Sequence, residues 1–285
     1  MAIFTTLVAV WIVTSSLPAR SKTSVVGKVQ HSAIVRRIDT VVPPLRTVLA
    51  SGQAANSDGV GLFIGGDPEP SDRLPTPDRA LLEPAIAIAT RSTVMVAGSA
   101  CGAKTVGAGV VIARHLVITN AHVIAGMKET RVGSDSGDHA AIPVLVDAEN
   151  DVAVLRVDSL DAPPIRTQTS VVARGTVSAL LGYPRGGQLQ SDVAVVLADY
   201  SATGHNIYGQ GNVRRPVYEL QATVLPGESG SPLVDANGAL IGLVFAASSN
   251  HDDIGYALAG SVIRDALDAA RGLSEPVSMG ECIPG

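Results

Sequence analysis

Residues 226–245 read PGESGSPLVDANGALIGLVF, and the local pattern of this stretch decides the fold class. Two short apolar runs, SPLVD (231–235) and ALIGLVFA (239–246), flank Asp235-Ala236-Asn237-Gly238. Asn-Gly is a hairpin signal because both residues accept the positive φ that tight connections need. The same texture extends upstream as Val-, Ile- and Leu-rich runs punctuated by Gly, Pro, Asn and Asp: TVMVA, GAGVVIA, LVITNA, AIPVLVD, DVAVLRV, TVSALLGY, DVAVVLADY and VYELQATV. Such a succession predicts an all-β chain built as a barrel or sandwich. Only the end departs from it. Ser261 is placed to cap a helix over VIRDALDAARG, with Val262, Ile263, Ala266, Leu267 and Ala270 near one face. No internal repeat of fixed period interrupts this reading.

The 285 residues admit one large or two small domains and a sizeable core. Aromatic residues make up 3%, charged residues 16%, and the formal net charge is -5. No clustered basic surface marks a nucleic-acid partner. Low charge with high hydrophobicity also excludes a mainly disordered chain.

Organisation follows from composition. Residues 2–19, AIFTTLVAVWIVTSSLPA, carry no charge, and as a helix would be about 27 Å long, close to a bilayer core. No basic residue precedes the apolar segment, as a secretory signal would normally show, so residues 1–19 are expected to be an uncleaved membrane anchor, with a signal-like helix and a buried helix of a soluble protein as the alternatives. Arg20, Lys22, Lys28, Arg36 and Arg37 follow it. By the positive-inside tendency they would hold the rest of the chain in the cytoplasm. An exported chain is reconciled with this if Met1 begins within the last span of a longer multi-span protein. Residues 20–90 are expected to be a stalk: an amphipathic stretch ends at Pro43-Pro44, and Ser51 to Pro84 is rich in Gly, Pro, Ser and Asp. The core would then begin at residue 91 and run to 285.

Three segments carry chemistry. In PGESGSP, Ser229 is a hydroxyl in a Gly-bounded turn between apolar runs. Acyl transfer needs that form, because the nucleophile must protrude while backbone N–H groups converge on the developing oxyanion. A plain surface turn would use the same residues. In LVITNAHVIAG (116–126), His122 emerges where an apolar strand ends, and in NDVAVL (150–155), Asp151 sits at the mouth of an apolar run. Singly, these read as a structural histidine and a turn aspartate. In the order His, Asp, Ser they supply a base, the acid that orients it and the nucleophile, the chain order of chymotrypsin-type triads.

GAGVVIARHLVITNAHVIAG, NDVAVLRV and PGESGSPLVDANGALIGLVF together resemble the three signature blocks of trypsin-like bacterial peptidases. The resemblance runs from about Arg91 to the C-terminus, and IGYALAGSVIRDAL is similar to the segment after the substrate-binding strand of high-temperature-requirement proteases. Cys101 just before the first block and the terminal Val277-Ser278-Met279-Gly280-Glu281-Cys282 are similar to features of the actinobacterial MarP-type family, membrane-bound acid-resistance proteases. The resemblance implies two six-stranded antiparallel β-barrels with the triad in the cleft between them. It further implies an oxyanion hole from the N–H groups of Gly227 and Ser229, a pocket floor at Thr223 and pocket walls at Phe245, Ala246 and Ala247. The sequence departs from the pattern at Ser231, where Gly is usual, and at Glu228, where Asn or Asp is usual. No carboxylate at the floor implies a small or apolar substrate side chain rather than Arg or Lys.

The same resemblance places Cys101 and Cys282 outside the cytoplasm, where the chain's two cysteines are expected to pair. Two buried thiols or a metal pair are the alternatives. His31, His115, His139, His205 and His251 show no zinc-ligand spacing, and Gly65-Gly66 and Gly186-Gly187 lack that of a phosphate loop, so no metal or cofactor is expected. The expectation is a membrane-tethered, extracytoplasmic serine endopeptidase acting on envelope proteins or peptides in acid or oxidative stress. A catalytically silent peptide-binding homologue and a quality-control protease of the high-temperature-requirement type are the alternatives.

Overall fold

The computed structural model describes residues 67–283, which fall in one compact unit. The apolar segment 2–19 and the amphipathic stretch after it lie outside the described residues. Among the described residues no helix is long and apolar enough to cross a membrane.

Twelve strands close into two barrels of six. The first barrel comprises β1 (Thr93–Ala100), β2 (Ala103–Ala113), β3 (Leu116–Thr119), β4 (Thr130–Ser134), β5 (Gly137–Asp147) and β6 (Val152–Arg156), in the spatial order β1-β2-β3-β6-β5-β4. The second comprises β7 (Val177–Gly182), β8 (Gln190–Gly204), β9 (Val213–Gln221), β10 (Pro232–Asp235), β11 (Leu240–Ala247) and β12 (Ile254–Ala259), in the order β10-β11-β12-β9-β8-β7. All pairings between these strands are antiparallel. Among the described residues three α-helices, α1 (Glu83–Thr90), α2 (Ala121–Ile124) and α3 (Gly260–Ala270), and two short 3-10 turns complete the unit.

Most of the strands lack the polar alternation of a sheet with one wet face, and the packing explains why. Side chains alternate along a strand, yet here both faces are covered. On β2, Val111 joins the core of the first barrel while Val110 and Ile112 join the core shared between the barrels. Ala153 and Leu155 of β6 likewise face the barrel interior, and Val152 and Val154 the shared core. In the second barrel, Ile241 and Val244 line the interior while Leu240, Leu243 and Phe245 face the shared core. Continuous apolar runs are what two buried faces require.

Each of the ten apolar runs coincides with a strand. β4 and β12 are the additions: β4 (TRVGS) has Val132 as its one large buried apolar residue, and β12 runs straight into α3. The 235–238 turn forms the expected hairpin, although of the Asn-Gly pair only the glycine takes a positive φ. Gly238 has φ +72°, and Asp235 Oδ1 accepts from the N–H groups of Asn237 (2.9 Å) and Ala239 (2.8 Å). Helix α3 begins one residue before Ser261, with Ala259 as its N-cap and no side-chain cap bond. A Cβ on Gly260 would lie 2.5 Å from the Gln168 carbonyl oxygen, so the chain's close approach there sets the helix start rather than a hydroxyl cap.

The described part of the expected stalk is bonded to the second barrel. Asp67 Oδ2 accepts from Ser248 Oγ (2.8 Å) and the Ser249 N–H (2.7 Å), and Ser71 N–H donates to Glu219 Oε1 (2.8 Å). Leu74 and Gln221 exchange two hydrogen bonds, and Arg73 forks onto Asp253. Helix α1 then buries Ala85, Ile86 and Ala89, after the fully buried Leu82. Residues 67–78 are poor in apolar residues and are held mainly by polar side chains, with Leu74 packed against the shared core.

Candidate active site

His122 lies in the single turn of α2, which follows directly from β3. Thr119 and Asn120 between them are fully buried and polar. Thr119 Oγ1 donates to the Ala108 carbonyl (2.7 Å), and Asn120 Nδ2 to the Asp151 carbonyl (2.9 Å). These bonds fix the end of β3 and seat α2, whose Ala121, Val123 and Ile124 are buried. His122 is left facing Asp151.

Asp151 holds the histidine at two points. Its Oδ1 accepts the His122 backbone N–H at 2.9 Å, and its Oδ2 lies 2.7 Å from His122 Nδ1. The carboxylate side chain is 1% exposed and the imidazole 11%. Asp151 adopts φ +57°, a left-handed conformation costing an L-residue about 1 kcal/mol or more. The turn before it sustains this geometry, since Asp147 Oδ1 accepts from the N–H groups of Glu149 (3.0 Å) and Asn150 (2.9 Å). An aspartate bonded to Nδ1 fixes the tautomer that leaves Nε2 available as a base.

Ser229 sits in the turn entering β10 and is 6% exposed. Its carbonyl accepts the Ala108 N–H at 2.7 Å, and the following Gly230 N–H donates to the Val244 carbonyl at 2.8 Å. Gly107 shows how closely this turn approaches α2: a Cβ there would be 2.8 Å from both the Ser229 carbonyl oxygen and the Val123 side chain. The structure thus brings Ser229 beside the segment bearing His122, across β2. Gly227 has φ +92°, and a Cβ on it would lie 2.5 Å from the Tyr183 carbonyl oxygen. Among the described residues, neither the Gly227 nor the Ser229 N–H donates to another protein group.

The two departures from the family pattern are accommodated by burial. Glu228 is 1% exposed, with Oε2 accepting the Leu225 N–H at 2.7 Å, so the carboxylate braces the turn before the serine. Ser231 is fully buried with its hydroxyl against Gly182, where any Cβ would collide with it. Tyr183, at the start of the neighbouring turn, has its phenol pushed up to about 12, chiefly by burial.

The expected pocket residues are placed unevenly. Phe245 and Ala246 are buried and Ala247 half-buried, and Ala246 and Ala247 pair with Tyr256 and Gly255 of β12. Thr223 is exposed, whereas the adjacent Val224 turns inward against Gly255. Cys101 and Cys282 are disulfide-bonded, with Cα atoms 5.7 Å apart. Cys282 lies against Gly126, and Gly126 N–H donates to the Met279 carbonyl (3.1 Å), so the tail docks just after α2 rather than on the strand that borders the pocket. Of the remaining histidines, His139 bonds to serines 134, 136 and 159, and His205 Nδ1 to the Gly211 carbonyl.

Sequence reasoning missed Asn120, Asp147 and Arg215. Arg215 is 1% exposed; its Nε donates to the Glu149 carbonyl and its Nη2 to the His205 carbonyl at 2.6 Å.

Known proteins share this fold. The pattern of the trypsin-like peptidase domain matches residues 107–243. The serine protease Rv3671c of Mycobacterium tuberculosis is 31% identical over 97% of this chain, which spans 72% of that protein. The crystal structure of the active form of the Rv3671c protease superposes with a TM-score of 0.71 at 34% identity, covering 77% of this chain and 100% of that one. The HtrA-type protease AlgW with a tripeptide gives a TM-score of 0.58 at 27% identity, covering 68% of this chain and 63% of that one. The chain therefore belongs to the trypsin-like serine endopeptidases, in the family of Rv3671c.

Proposed function

We propose that His122, Asp151 and Ser229 are the catalytic triad of a peptide-bond hydrolase. The two-point grip of Asp151 on His122, at 2.7 and 2.9 Å beside the Ser229 turn, carries this reading. His122 takes the Ser229 hydroxyl proton as the oxygen attacks the scissile carbonyl. The negative charge on the tetrahedral oxygen is met by the N–H groups of Gly227 and Ser229. His122 then passes the proton to the leaving amine, and water releases the acyl group by the same steps in reverse order.

Substrates are proteins or peptides with a small or apolar side chain at the scissile bond. The inward Val224 against Gly255 supports that preference, as does the uncharged Thr223 at the expected floor. The uncharged segment 2–19 supports membrane tethering, and the MarP-type resemblance supports a protease domain outside the cytoplasm, with Met1 inside the last span of a longer multi-span protein. A role in acid or oxidative stress of the cell envelope follows from the MarP-type resemblance.

The test is Ser229→Ala in the purified full chain. Peptide hydrolysis should fall by several powers of ten while the circular dichroism spectrum is unchanged. A fluorophosphonate probe should label the parent and not the variant. Unchanged turnover of casein by the variant would refute the assignment.

A further inference from the structure

Arg215 is the largest fully buried side chain among the described residues, and no step of the reaction above uses it. It projects from β9 of the second barrel. Its Nε reaches the Glu149 carbonyl, two residues before Asp151 in the turn joining β5 to β6 of the first barrel. Its Nη2 holds the His205 carbonyl in the loop after β8, and that loop returns to the same turn, with Ile207 N–H donating to the Ala148 carbonyl at 3.1 Å. Ile207 itself packs in the core of the first barrel. One guanidinium thus fastens the turn carrying Asp151 to a loop of the other barrel.

The placement is demanding. A buried guanidinium ordinarily finds a carboxylate, yet the Nε and Nη2 of Arg215 both donate to carbonyl oxygens, and no carboxylate oxygen lies within ion-pair distance of it among the described residues. Burial lowers its pKa, with Asp151, Asp147 and Glu149 opposing that shift through their charges. The groups around it are therefore these three carboxylates and His205 through its carbonyl, and Asp151 in turn holds His122. A cation behind the carboxylate works against a second cation on the imidazole.

We propose that Arg215 is a positioning residue for the Asp151–His122 pair: it locks the turn that aims Asp151, and its charge favours neutral His122, extending the working base to lower pH. This rests on the triad assignment. The bifurcated reach explains why arginine stands here, since lysine presents a point charge rather than two donors on a rigid fork.

The experiment compares Arg215→Met, Arg215→Lys and Ser229→Ala with the parent, all as full chains, reading kcat, KM and the acid limb of kcat/KM on a peptide substrate. Arg215→Met should lose on the order of 10-fold to 100-fold in kcat through misplacement of the pair, with KM changed much less. Its acid limb should move up by about one pH unit. Arg215→Lys should return the acid limb to the parent position without restoring kcat, a split that a merely structural role would not produce. Parent kcat and acid limb in a folded Arg215→Met would overturn the proposal. If Arg215→Met fails to fold, Arg215→Lys decides, and parent kcat in it would likewise overturn the proposal. Parent-level hydrolysis by Ser229→Ala refutes the triad and this reading with it; a fall of several powers of ten there, beside unperturbed Arg215 variants, refutes this reading alone.

Discussion

Replacing Gly227 by alanine separates the structural work of the nucleophile turn from its chemical work. Gly227 has φ +92°, and an added Cβ would lie 2.5 Å from the Tyr183 carbonyl oxygen and 3.0 and 3.1 Å from the amide nitrogens of Arg185 and Gly186. All three are backbone atoms, so no side chain can swing aside. The left-handed conformation costs an L-residue about 1–2 kcal/mol, and the overlap adds about 1–3 kcal/mol. For a domain of this size, each kcal/mol lowers Tm by about 2–4 °C, which sets the expected fall at roughly 4–20 °C. The turn relieves the overlap by moving away from Tyr183, which swings the Gly227 N–H off the oxyanion. Loss of one such donor typically costs about 10²–10³ in kcat. KM should change little, because the oxyanion forms only after binding. The assay is initial-rate hydrolysis of a peptide substrate well below the variant's Tm, alongside thermal unfolding followed by circular dichroism. Gly238→Ala is the control: it has φ +72° and a Cβ 3.1 Å from Ile88 side-chain atoms, but lies in the β10–β11 hairpin. It should lower Tm and leave kcat intact. A Gly227→Ala protein with lowered Tm and kcat within about twofold of the parent would refute the oxyanion assignment.

Thiol alkylation of the unreduced protein should add no alkyl group, since Cys101 and Cys282 are bonded across 181 residues; intact mass is the readout, and uptake of two groups would rule the bond out. Mild reduction should lower hydrolysis before the domain unfolds, because the tail it frees packs on Gly126, four residues past His122; equal rates before and after would reject that coupling. Deleting residues 1–66 should leave a folded, active protease. Deleting 1–90 also removes the buried Leu82 and Ile86, roughly 3–6 kcal/mol of apolar burial, so its Tm should drop sharply; matching melting curves for the two truncations would show that residues 67–90 do not stabilise the barrels.

The strands were legible because both faces of most of them are buried. A run such as VAVL at 152–155 has no partner for helix periodicity, and Gly, Pro, Asn or Asp bounds almost every run. β4 was not legible, since a strand with Val132 as its one large inward side chain carries little signal. The candidate triad was legible for another reason: each member stands at the edge of an apolar run, where a polar side chain can reach a cleft while the backbone stays fixed. Closure into two barrels came only through family resemblance, because the pairing of β1 with β4 or of β9 with β12 depends on contacts distant in sequence.

What supports the site was harder to read, and Arg215 shows why. Its neighbour Arg214 is exposed, while Arg215 and Val217 are buried. That is the two-residue period of a strand, so Val217 in the apolar run VYELQ already placed Arg215 on the inward face. Arg215 still carries no signal of its role, because a charge is ordinarily assigned to solvent when its partner is not visible in sequence. Here the partners are the backbone carbonyls of Glu149 and His205, and a carbonyl has no letter in the sequence. Asp67 is a milder case, since its partners are Ser248 Oγ and the Ser249 amide, more than 180 residues along the chain. Where an inward strand position holds a charge, the period is the stronger evidence. The productive question is then which backbone that charge organises, and for Arg215 the answer is the turn that carries Asp151.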